Sequence, residues 1–383
     1  MENESNTPFL RFRGYTDAWG QERLNELVTY SSSSLTASDA LENGLYPLYD
    51  ANAQIGFTNK EPIREDYITI IKDGAGVGRI RKLKKNTLFI GTMGALVPSS
   101  SDYGFVYALL SRFDLSGSHT GSTIPHIYFK DYGKQEYLVP KLEEQAKIGS
   151  LFTGLDDLLS LHQRKLEKLQ EIKKSLLQNM FPAEGEDRPK IRFGGYTDAW
   201  GQERLGEMLV KNDERNKDVA FDNVESVSNK TGFTKQTEQF DDYSVASADL
   251  SNYYVIRERQ FAYNPSRINV GSIAYKEKGA EIGVVSPLYI SFSTKEMLDD
   301  RFLWYWFKTY SFDYQRHTLS EGGVRDTLSF DKIAQMEIKL PGLKEQQEIG
   351  RVLHSVDSLL SLHQRKLEKL QQIKKALLEQ MFC

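Results

Sequence analysis

The sequence predicts an α+β protein with two globular α/β domains separated by an antiparallel pair of long coiled-coil helices, and with a pseudo-twofold internal repeat. Three observations lead to this prediction. Two constant segments each occur twice in the 383 residues, one of them carries a heptad pattern in both copies, and β-like runs alternate with turns in between. The length alone favours two or three domains, at roughly 100–200 residues per domain.

The two copies of the internal repeat share their constant segments, which we call the frame, and differ in the variable segments between them. Residues 14–24 recur without a difference at 195–205, and residues 160–177 recur at 361–378 with 16 of 18 positions identical. The stretches between these segments hardly resemble each other, unlike the units of a solenoid. Drift after an old duplication is the alternative, but drift would not leave 11 of 11 positions identical. We infer one architecture that is used twice, on two different targets.

The second constant segment predicts a long helix with a heptad seam, because mostly apolar residues alternate at spacings of four and three. In the first copy the seam contains Leu155, Leu159, His162, Leu166, Leu169 and Leu176, and in the second it contains Val356, Leu360, His363, Leu367, Leu370 and Leu377. Two copies of one heptad helix most simply pair with each other. We expect the two seam histidines to set the register of that pair and not to bind metal.

The predicted helices occupy residues 143–181 and 343–383, each after a proline, Pro140 or Pro341. Gly149 and Gly350 are weak points of these helices, since glycine costs about 1 kcal/mol relative to alanine in a helix interior. Trp19 and its repeat Trp200 are expected to pack into the domain cores, because tryptophan is highly buried on average. Docking of a partner is the alternative for these tryptophans.

Composition excludes several classes of protein. Lys plus Arg is 49 and Asp plus Glu is 53, so the net charge of −4 excludes a globally basic coat for nucleic acid but allows a local basic patch. Cys383 is the one cysteine, which leaves no intrachain disulfide or cysteine zinc site and favours a cytoplasmic location. No apolar run approaches the ~20 residues of a membrane span. No P-loop, His-Glu-x-x-His or Gly-x-Ser-x-Gly motif occurs, so no catalytic residue is assigned.

In the first variable segment, a predicted strand at 67–71 leads into Gly74, Gly76 and Gly78. A dinucleotide-binding loop would have its third glycine at the position of Arg79, and a helix would follow it. We therefore predict a tight hairpin turn. Five cations in seven residues follow, a density suited to a phosphate backbone: Arg79, Arg81, Lys82, Lys84 and Lys85. An ordinary solvated edge strand protected by lysines is the alternative that this run leaves open.

Two further groups of residues are candidates for DNA contact. A polar stretch of the first variable segment is rich in hydrogen-bonding groups and supplies Ser118, His119, Thr120, Ser122 and Thr123. In the second variable segment a turn at 263–273 leads into a strand, and a basic groove would be formed by Arg257, Arg267, Lys276, Arg316 and Arg325.

Taken together, these segments resemble the specificity subunit of type I restriction–modification enzymes. The resemblance rests on the repeated Gly-Tyr-Thr-Asp-Ala-Trp segment, on the helix sequence Leu-His-Gln-Arg-Lys-Leu-Glu-x-Leu-Gln, and on recognition-domain motifs in the variable segments. These motifs lie at 46–49 with 56–60, at 73–78, at 121–126 and at 263–273. The similarity covers nearly the whole chain in the expected order.

The resemblance implies two target recognition domains, 1–142 and 182–342, and two conserved spacer helices, 143–181 and 343–383. Each domain would read one half of a bipartite, asymmetric site in double-stranded DNA, while the helices set the gap and dock two modification subunits. The chain would be non-catalytic by itself. S-adenosylmethionine and adenine methylation would belong to the modification subunits, and ATP with Mg²⁺ to restriction subunits that translocate and cleave DNA.

Three other interpretations remain open from the residues. The chain is compatible with a specificity partner of another restriction system or a stand-alone DNA-binding protein, with a coiled-coil assembly scaffold that binds no DNA, and with an unrecognised enzyme in the variable segments. Salt-dependent DNA binding would distinguish a DNA-binding protein from the scaffold. Methylation that requires a partner subunit would distinguish it from an enzyme that acts alone.

Overall fold

The computed structural model describes residues 6–74, 76–113, 115, 125–229, 232–235, 249–320 and 327–383. The chain divides into two compact units: unit 1 is Met1–Lys165 with His363–Cys383, and unit 2 is Leu166–Leu362. Each unit contains one copy of the first constant segment, one variable segment and a part of each long helix.

Unit 1 is built around a sheet that is covered on both faces. Its elements in chain order are β1 (Gly20–Arg23), α1 (Leu24–Leu27), β2 (Val28–Ser32), β3 (Tyr46–Tyr49), β4 (Gln54–Thr58), β5 (Tyr67–Ile71), β6 (Ile80–Leu83), β7 (Leu88–Phe89), β8 (Met93–Pro98), α2 (Tyr103–Arg112), α3 (Phe129–Tyr132), β9 (Glu136–Val139) and α4 (Leu142–Asn179), the last shared with unit 2. The sheets run β2-β8-β5-β6, β4-β3-β7 and β1-β9, all antiparallel except for β3 with β7. Every residue of β5 is buried, as expected for an apolar strand inside a sheet.

Unit 2 repeats the plan with different sheets. Its elements are β10 (Gly201–Arg204), α5 (Leu205–Met208), β11 (Leu209–Lys211), β12 (Val224–Ser228), β13 (Gly232–Lys235), β14 (Tyr254–Ile256), β15 (Gln260–Tyr263), β16 (Ile273–Tyr275), β17 (Gly283–Val285), β18 (Ile290–Thr294), α6 (Asp300–Trp306), α7 (Tyr310–Leu319), α8 (Phe330–Gln335), β19 (Glu337–Leu340) and α9 (Leu343–Met381), the last shared with unit 1. The strand orders are β11-β18-β15-β16, β13-β12-β17-β14 and β10-β19. The two variable segments therefore carry different sheets inside one frame.

The frame itself is the same in both units. The first constant segment supplies β1, which pairs antiparallel with β9, and its repeat supplies β10, which pairs in the same way with β19. Just before each copy, an arginine donates to a glutamate at the start of a long helix: Arg11 to Glu144 and Arg192 to Glu345, both at 2.7 Å. Both glutamates are 1% exposed, so each pair anchors the constant segment to its helix.

The repeated tryptophans are core residues, as predicted. Trp19 is 3% exposed and Trp200 is 4% exposed. Trp19 meets the ring of Phe382 edge-on, at 6.3 Å between centroids and 81°, and Trp200 meets Phe181 at 6.3 Å and 82°. Such edge-to-face pairs add to the burial of apolar area. Each long helix is thus fastened at its C-terminal end to the frame of one unit.

The long helices pair antiparallel inside each unit, which confirms the predicted helix pair. In unit 1, Phe152 of α4 lies against Phe382 just beyond α9, and further along α4 His162 meets His363, which is earlier in α9. All predicted seam positions on both helices are buried or half-buried. In unit 2, the C-terminal part of α4 and the N-terminal part of α9 share one apolar core that contains Met180 and Leu353.

Gly149 and Gly350 have a packing role that the sequence did not reveal. Asp102 caps α2 by accepting from the Phe105 N–H at 2.8 Å, and this cap lies directly against Gly149 of α4. A Cβ at residue 149 would overlap Asp102 Oδ1 and lie 2.6 Å from Phe105 N. The glycine lets the end of α2 approach the helix, so the loss of helix propensity is offset by close packing.

The two seam histidines face each other at equivalent positions of the repeat. Their Nδ1 atoms are 2.8 Å apart in unit 1. Partial burial lowers the pKa of His162, and the neighbouring charges of His363, Lys366 and Lys165 lower it further. Two imidazolium rings cannot hydrogen-bond to each other, because both nitrogens of each would be donors. The contact therefore requires at least one neutral ring.

This contact predicts an acid-sensitive helix pair. A histidine whose pKa is lower in the folded than in the unfolded state stabilises the fold above about pH 6.5, and that contribution is lost as the pH falls. We expect the melting temperature of the wild type to drop between about pH 7.5 and about pH 5.5, and the His162→Gln variant to show a smaller drop. The exposed His317 provides the control, and His317→Gln should behave as the wild type does. Equal pH profiles for all three proteins would contradict the prediction.

Candidate nucleic-acid interface

The glycine-rich segment of unit 1 is a hairpin turn, as the sequence predicted. Gly74, Gly76 and Gly78 have positive φ angles of 84°, 88° and 84°, a region that favours glycine. The turn joins β5 to β6, which pair antiparallel from Tyr67 opposite Leu83 onwards. A strand follows the glycines where a dinucleotide-binding loop would open a helix.

The base of this turn is joined to residues 125–127. Gly74 N donates to the Pro125 carbonyl at 3.0 Å, Ile127 N donates to the Lys72 carbonyl at 3.0 Å, and His126 Nδ1 contacts the Asp73 carboxylate. The predicted polar contacts Ser118, His119, Thr120, Ser122 and Thr123 lie outside the described residues. Residues 125–127, which the structure describes, are adjacent to the hairpin turn.

Three cations of the basic run lie on the surface of unit 1. Arg79 donates to the Ala51 carbonyl at 2.7 Å and to Asn52 Oδ1 at 2.8 Å, which fixes its guanidinium beside the turn. The Lys84 side chain is 80% exposed and pairs with Asp66 at 2.9 Å, and Lys85 is exposed next to it. These side chains are accessible to a phosphate backbone.

The other two cations of the run face the interior, on opposite sides of β6. The Arg81 guanidinium lies 5.1 Å from the centre of the Tyr49 ring. Lys82 Nζ donates at 3.2 Å to Asp156 of α4 and lies 4.5 Å from the centre of the Tyr107 ring. Successive residues of a strand point to opposite faces. Both side chains are half-buried in unit 1, and Nη1 of Arg81 is buried without a hydrogen-bond partner among the described residues.

In unit 2, three of the predicted cations are held by carboxylates. Lys276 is 3% exposed and pairs with Glu225 at 2.5 Å. Arg257 donates to Glu214 at 2.7 and 2.9 Å, which raises the pKa of the arginine and lowers that of the glutamate. Arg316 donates to Asp313 at 2.7 and 3.1 Å and is 9% exposed. Arg267 lies on the surface, in the turn before the 3₁₀ segment Ile268–Val270. Arg325 lies outside the described residues.

A groove of about 740 Å³ in unit 2 combines aromatic and polar side chains. Its lining includes Asn229, Tyr275, Trp304 and Lys308 together with the buried Glu225–Lys276 pair. Lys308 Nζ lies 3.9 Å from the centre of the Trp304 ring. Rings beside cations and amides are the groups that stack on and hydrogen-bond to bases.

A comparison with protein families identifies the family of this chain. The model described as the type I restriction modification DNA specificity domain matches the chain twice, at residues 16–171 and 203–372. This chain belongs to the type I restriction modification DNA specificity family. The resemblance inferred from the sequence is thereby confirmed. Each match begins within a copy of the first constant segment and ends within the long helix that follows it.

Members of the specificity family resemble the chain over most of its length or over less than half of it. The type I restriction enzyme MjaVIII specificity subunit of Methanocaldococcus jannaschii is 24% identical, over 94% of this chain and 91% of that protein. A putative type I specificity subunit of Mycoplasma genitalium is 28% identical, over 44% of this chain and 46% of that protein. The crystal structure of a type I S subunit from M. genitalium superposes with a TM-score of 0.69 at 16% identity, covering 98% and 99% of the two chains. That likeness supports the fold.

The long helices of this specificity-family chain carry exposed apolar side chains in matched sets. Unit 1 exposes Leu158, Leu161 and Ile373, and unit 2 exposes their repeats Leu359, Leu362 and Ile172. All six side chains are between 39% and 44% exposed. Leu158 and Leu161 are three residues apart and so share a helix face, as do Leu359 and Leu362.

The described ranges contain neither a candidate metal site nor a candidate membrane span. No group of three or more His, Cys, Asp or Glu residues there is arranged to hold a metal ion. No helix in the same ranges combines the length and the apolar composition that crossing a membrane requires.

Proposed function

We propose that this chain supplies the sequence specificity of a type I restriction–modification complex, with each unit reading one half of a bipartite, asymmetric DNA site. One observation carries the proposal: the DNA specificity domain occurs twice, in one frame, with different variable sheets. Nearly identical frames would present the two reading surfaces in the same way. Different surfaces read different half-sites, which makes the site asymmetric.

In unit 1, the proposed DNA surface is the hairpin turn with the exposed Arg79, Lys84 and Lys85. Cations of this kind contact phosphates and fix the orientation of a domain on the duplex. Ser118, His119, Thr120, Ser122 and Thr123 are the proposed readers of base edges in unit 1, and Arg267 and Arg325 have that role in unit 2. Four of the predicted cations pair with carboxylates, namely Lys82, Arg257, Lys276 and Arg316, and Arg81 lies half-buried over the Tyr49 ring. We propose that these five side chains support the two surfaces.

The long helices are proposed to set the gap between the half-sites. Helix α4 has 38 residues and α9 has 39, and at 1.5 Å per residue each is about 57 Å long. Both helices continue from one unit into the other. In proteins that read two half-sites, the spacing of the sites follows from the geometry of the separator.

The exposed leucines and isoleucines of the helices are proposed to dock two modification subunits. Exposed apolar side chains gathered on one face mark interaction sites. Two matched sets, related by the repeat, suit two copies of the same partner. Those partners would carry S-adenosylmethionine and the pocket for a flipped adenine, and restriction subunits would bring ATP and Mg²⁺. This chain would then have no catalytic activity of its own.

Co-expression with the modification subunit of its own restriction system, in a host without adenine methylation, tests the proposal. Methyladenine is then mapped across the genome. We expect one split, asymmetric motif with a fixed gap, which is absent when either protein is omitted. Methylation of a continuous motif, or the same motif without this chain, would contradict the proposal. A complex that binds no DNA would favour the scaffold.

The phosphate contacts of unit 1 make a separate prediction. For DNA binding by the complex, a plot of log K against the logarithm of the salt concentration has a slope to which each phosphate contact contributes about 0.9. In the Lys84→Gln, Lys85→Gln double variant this slope should therefore be smaller in magnitude by about two. The methylated motif should stay the same, since phosphates carry no sequence. Lys134→Gln removes an exposed charge next to β9 and serves as control. An unchanged slope in the double variant, or a changed motif, would contradict the assignment.

A further inference from the structure

In each unit, one aspartate of a long helix accepts bonds from two different elements. In unit 1, Asp156 of α4 accepts from Lys374 of α9 at 2.5 Å through Oδ1 and from Lys82 of β6 at 3.2 Å through Oδ2. One oxygen thus joins the two helices, and the other joins the helix to the variable segment.

Unit 2 has the same arrangement with the helices exchanged. Asp357 of α9 pairs with Lys173 of α4 at 2.6 Å through Oδ1, and it accepts from the Tyr305 hydroxyl of α6 at 2.8 Å through Oδ2. Burial raises the pKa of Tyr305, so its hydroxyl stays protonated and donates. The variable segment of this unit therefore reaches the helix through a phenol in place of an ammonium.

The internal repeat explains which part of each contact is constant. Asp156 and Asp357 are 201 residues apart, and so are Lys173 and Lys374. The helix-to-helix pair therefore belongs to the frame, whereas Lys82 and Tyr305 belong to segments that differ in sequence and in fold. Two unrelated variable segments each supply a donor to the same position of the frame.

Both contacts are shielded and held in a defined geometry. The side chains of the aspartates are 25% and 28% exposed, and those of the three lysines are between 20% and 24% exposed. In unit 1 both Lys82 and Lys374 lie over the ring of Tyr107, at 4.5 and 5.9 Å. A partly buried charge that loses its partner keeps its desolvation penalty, so the geometry is enforced more strongly than at an exposed pair.

We propose that Asp156 and Asp357 are positioning residues that hold each recognition surface in a fixed orientation on its helices, and that this sets how strictly the gap between half-sites is enforced. The inference rests on the proposed function. One base pair of B-DNA advances the helix by about 3.4 Å and turns it by about 35°, since a turn of 34–36 Å holds 10–10.5 base pairs. If a recognition surface could rotate on the long protein helices, it would tolerate a gap that is one base pair too long or too short.

Each unit keeps a further connection to its helix when the aspartate is replaced, but the two connections differ in strength. In unit 1, Lys82 also donates to the Thr153 hydroxyl of α4 at 3.2 Å. Glu277, beyond β16, accepts from Arg301 of α6 at 2.8 Å and lies 3.5 Å from His354 of α9. The loss of the Asp357 contact leaves this connection in place. The connection left in unit 1 is one bond from Lys82 to a neutral hydroxyl, whereas the one left in unit 2 includes the charge pair of Glu277 with Arg301. Because charge-assisted bonds are stronger, we expect the tolerance for a wrong gap to rise more in Asp156→Asn than in Asp357→Asn.

The experiment measures gap discrimination in the complete complex. The chain and its modification subunit methylate plasmids that carry both half-sites at the native gap, or at a gap one base pair shorter or longer. The ratio of methylation at native and altered gaps should fall about tenfold in Asp156→Asn, a change of about 1.4 kcal/mol. Lys82→Gln removes the bonds from the variable segment to Asp156 and Thr153 and keeps the pair between the helices, so it should lower the ratio at least as much.

Two matched variants separate positioning from stability. Asp157→Asn removes an exposed charge from the next residue of α4 and should keep the wild-type ratio. Lys374→Gln removes the contact between the helices and should lower the melting temperature while keeping the ratio. An unchanged ratio in both Asp156→Asn and Lys82→Gln, or an equal fall in Lys374→Gln, would overturn the inference. If the wild type methylates no split site, the proposed function fails, and the inference that rests on it fails too.

Discussion

Replacement of Gly149 by alanine is expected to destabilise unit 1 by about 3 kcal/mol, because it combines overpacking with the loss of a helix cap. The new Cβ would overlap the Asp102 carboxylate that caps α2 and would crowd the Phe105 N–H. For a unit of this size the melting temperature should fall by about 6–12 °C. Differential scanning calorimetry of the full chain measures the change.

Gly154 lies in the same helix and provides the control. No atom lies within 4 Å of a Cβ added there, so Gly154→Ala should stabilise the protein by about 0.5–1 kcal/mol. Gly350→Ala should have an intermediate effect, because the nearest atoms in unit 2 are at 2.9 and 3.1 Å. A similar melting temperature for Gly149→Ala and Gly154→Ala would contradict the packing account.

The second large effect is expected at the exposed leucines of the helices. The Leu158→Glu, Leu161→Glu double variant places two charges where a partner would bury apolar surface, and we expect binding of one modification subunit to weaken about 100-fold, or about 2.7 kcal/mol. Native mass spectrometry should then find one modification subunit on the chain in place of two. The corresponding Leu359→Glu, Leu362→Glu variant should do the same, and the combination of all four should leave none.

Ser160 supplies a control for this experiment. It is exposed and lies two residues from Leu158, on another face of the helix. Ser160→Glu should therefore retain two modification subunits. Retention of both subunits by the four-fold variant would show that the partner docks elsewhere, and loss of both by either double variant would contradict two independent docking sites.

Much of the fold was predictable because it depends on periodicity and repetition. A heptad pattern specifies a paired helix wherever it occurs, and the repeat showed that the helix occurs twice. The role of Gly149 was not predictable, since a glycine in a helical pattern signals only lower propensity. Position 149 needs a residue without a Cβ because Asp102 packs against it. Asp102 lies 47 positions earlier in the chain and contacts the helix only in the folded unit.

The candidate site was predictable in part. A strand places neighbouring residues on opposite faces, so Arg81 and Lys82 had to diverge, but the sequence did not say that both faces would be covered. The partner of Lys276 is Glu225, 51 positions earlier, and such a distance leaves no local signal. The assignments for Ser118, His119, Thr120, Ser122, Thr123 and Arg325 stay predictions.

Binding of the wild-type complex to a spacing series of DNA tests the central claim most directly. The duplexes carry both half-sites with the gap varied by single base pairs, next to duplexes with one half-site alone. The account predicts one sharp optimum of affinity at the gap found in the methylated motif, and far weaker binding to either half-site alone. Equal affinity at every spacing, or full affinity for a single half-site, would contradict two reading units whose spacing is fixed by the paired helices.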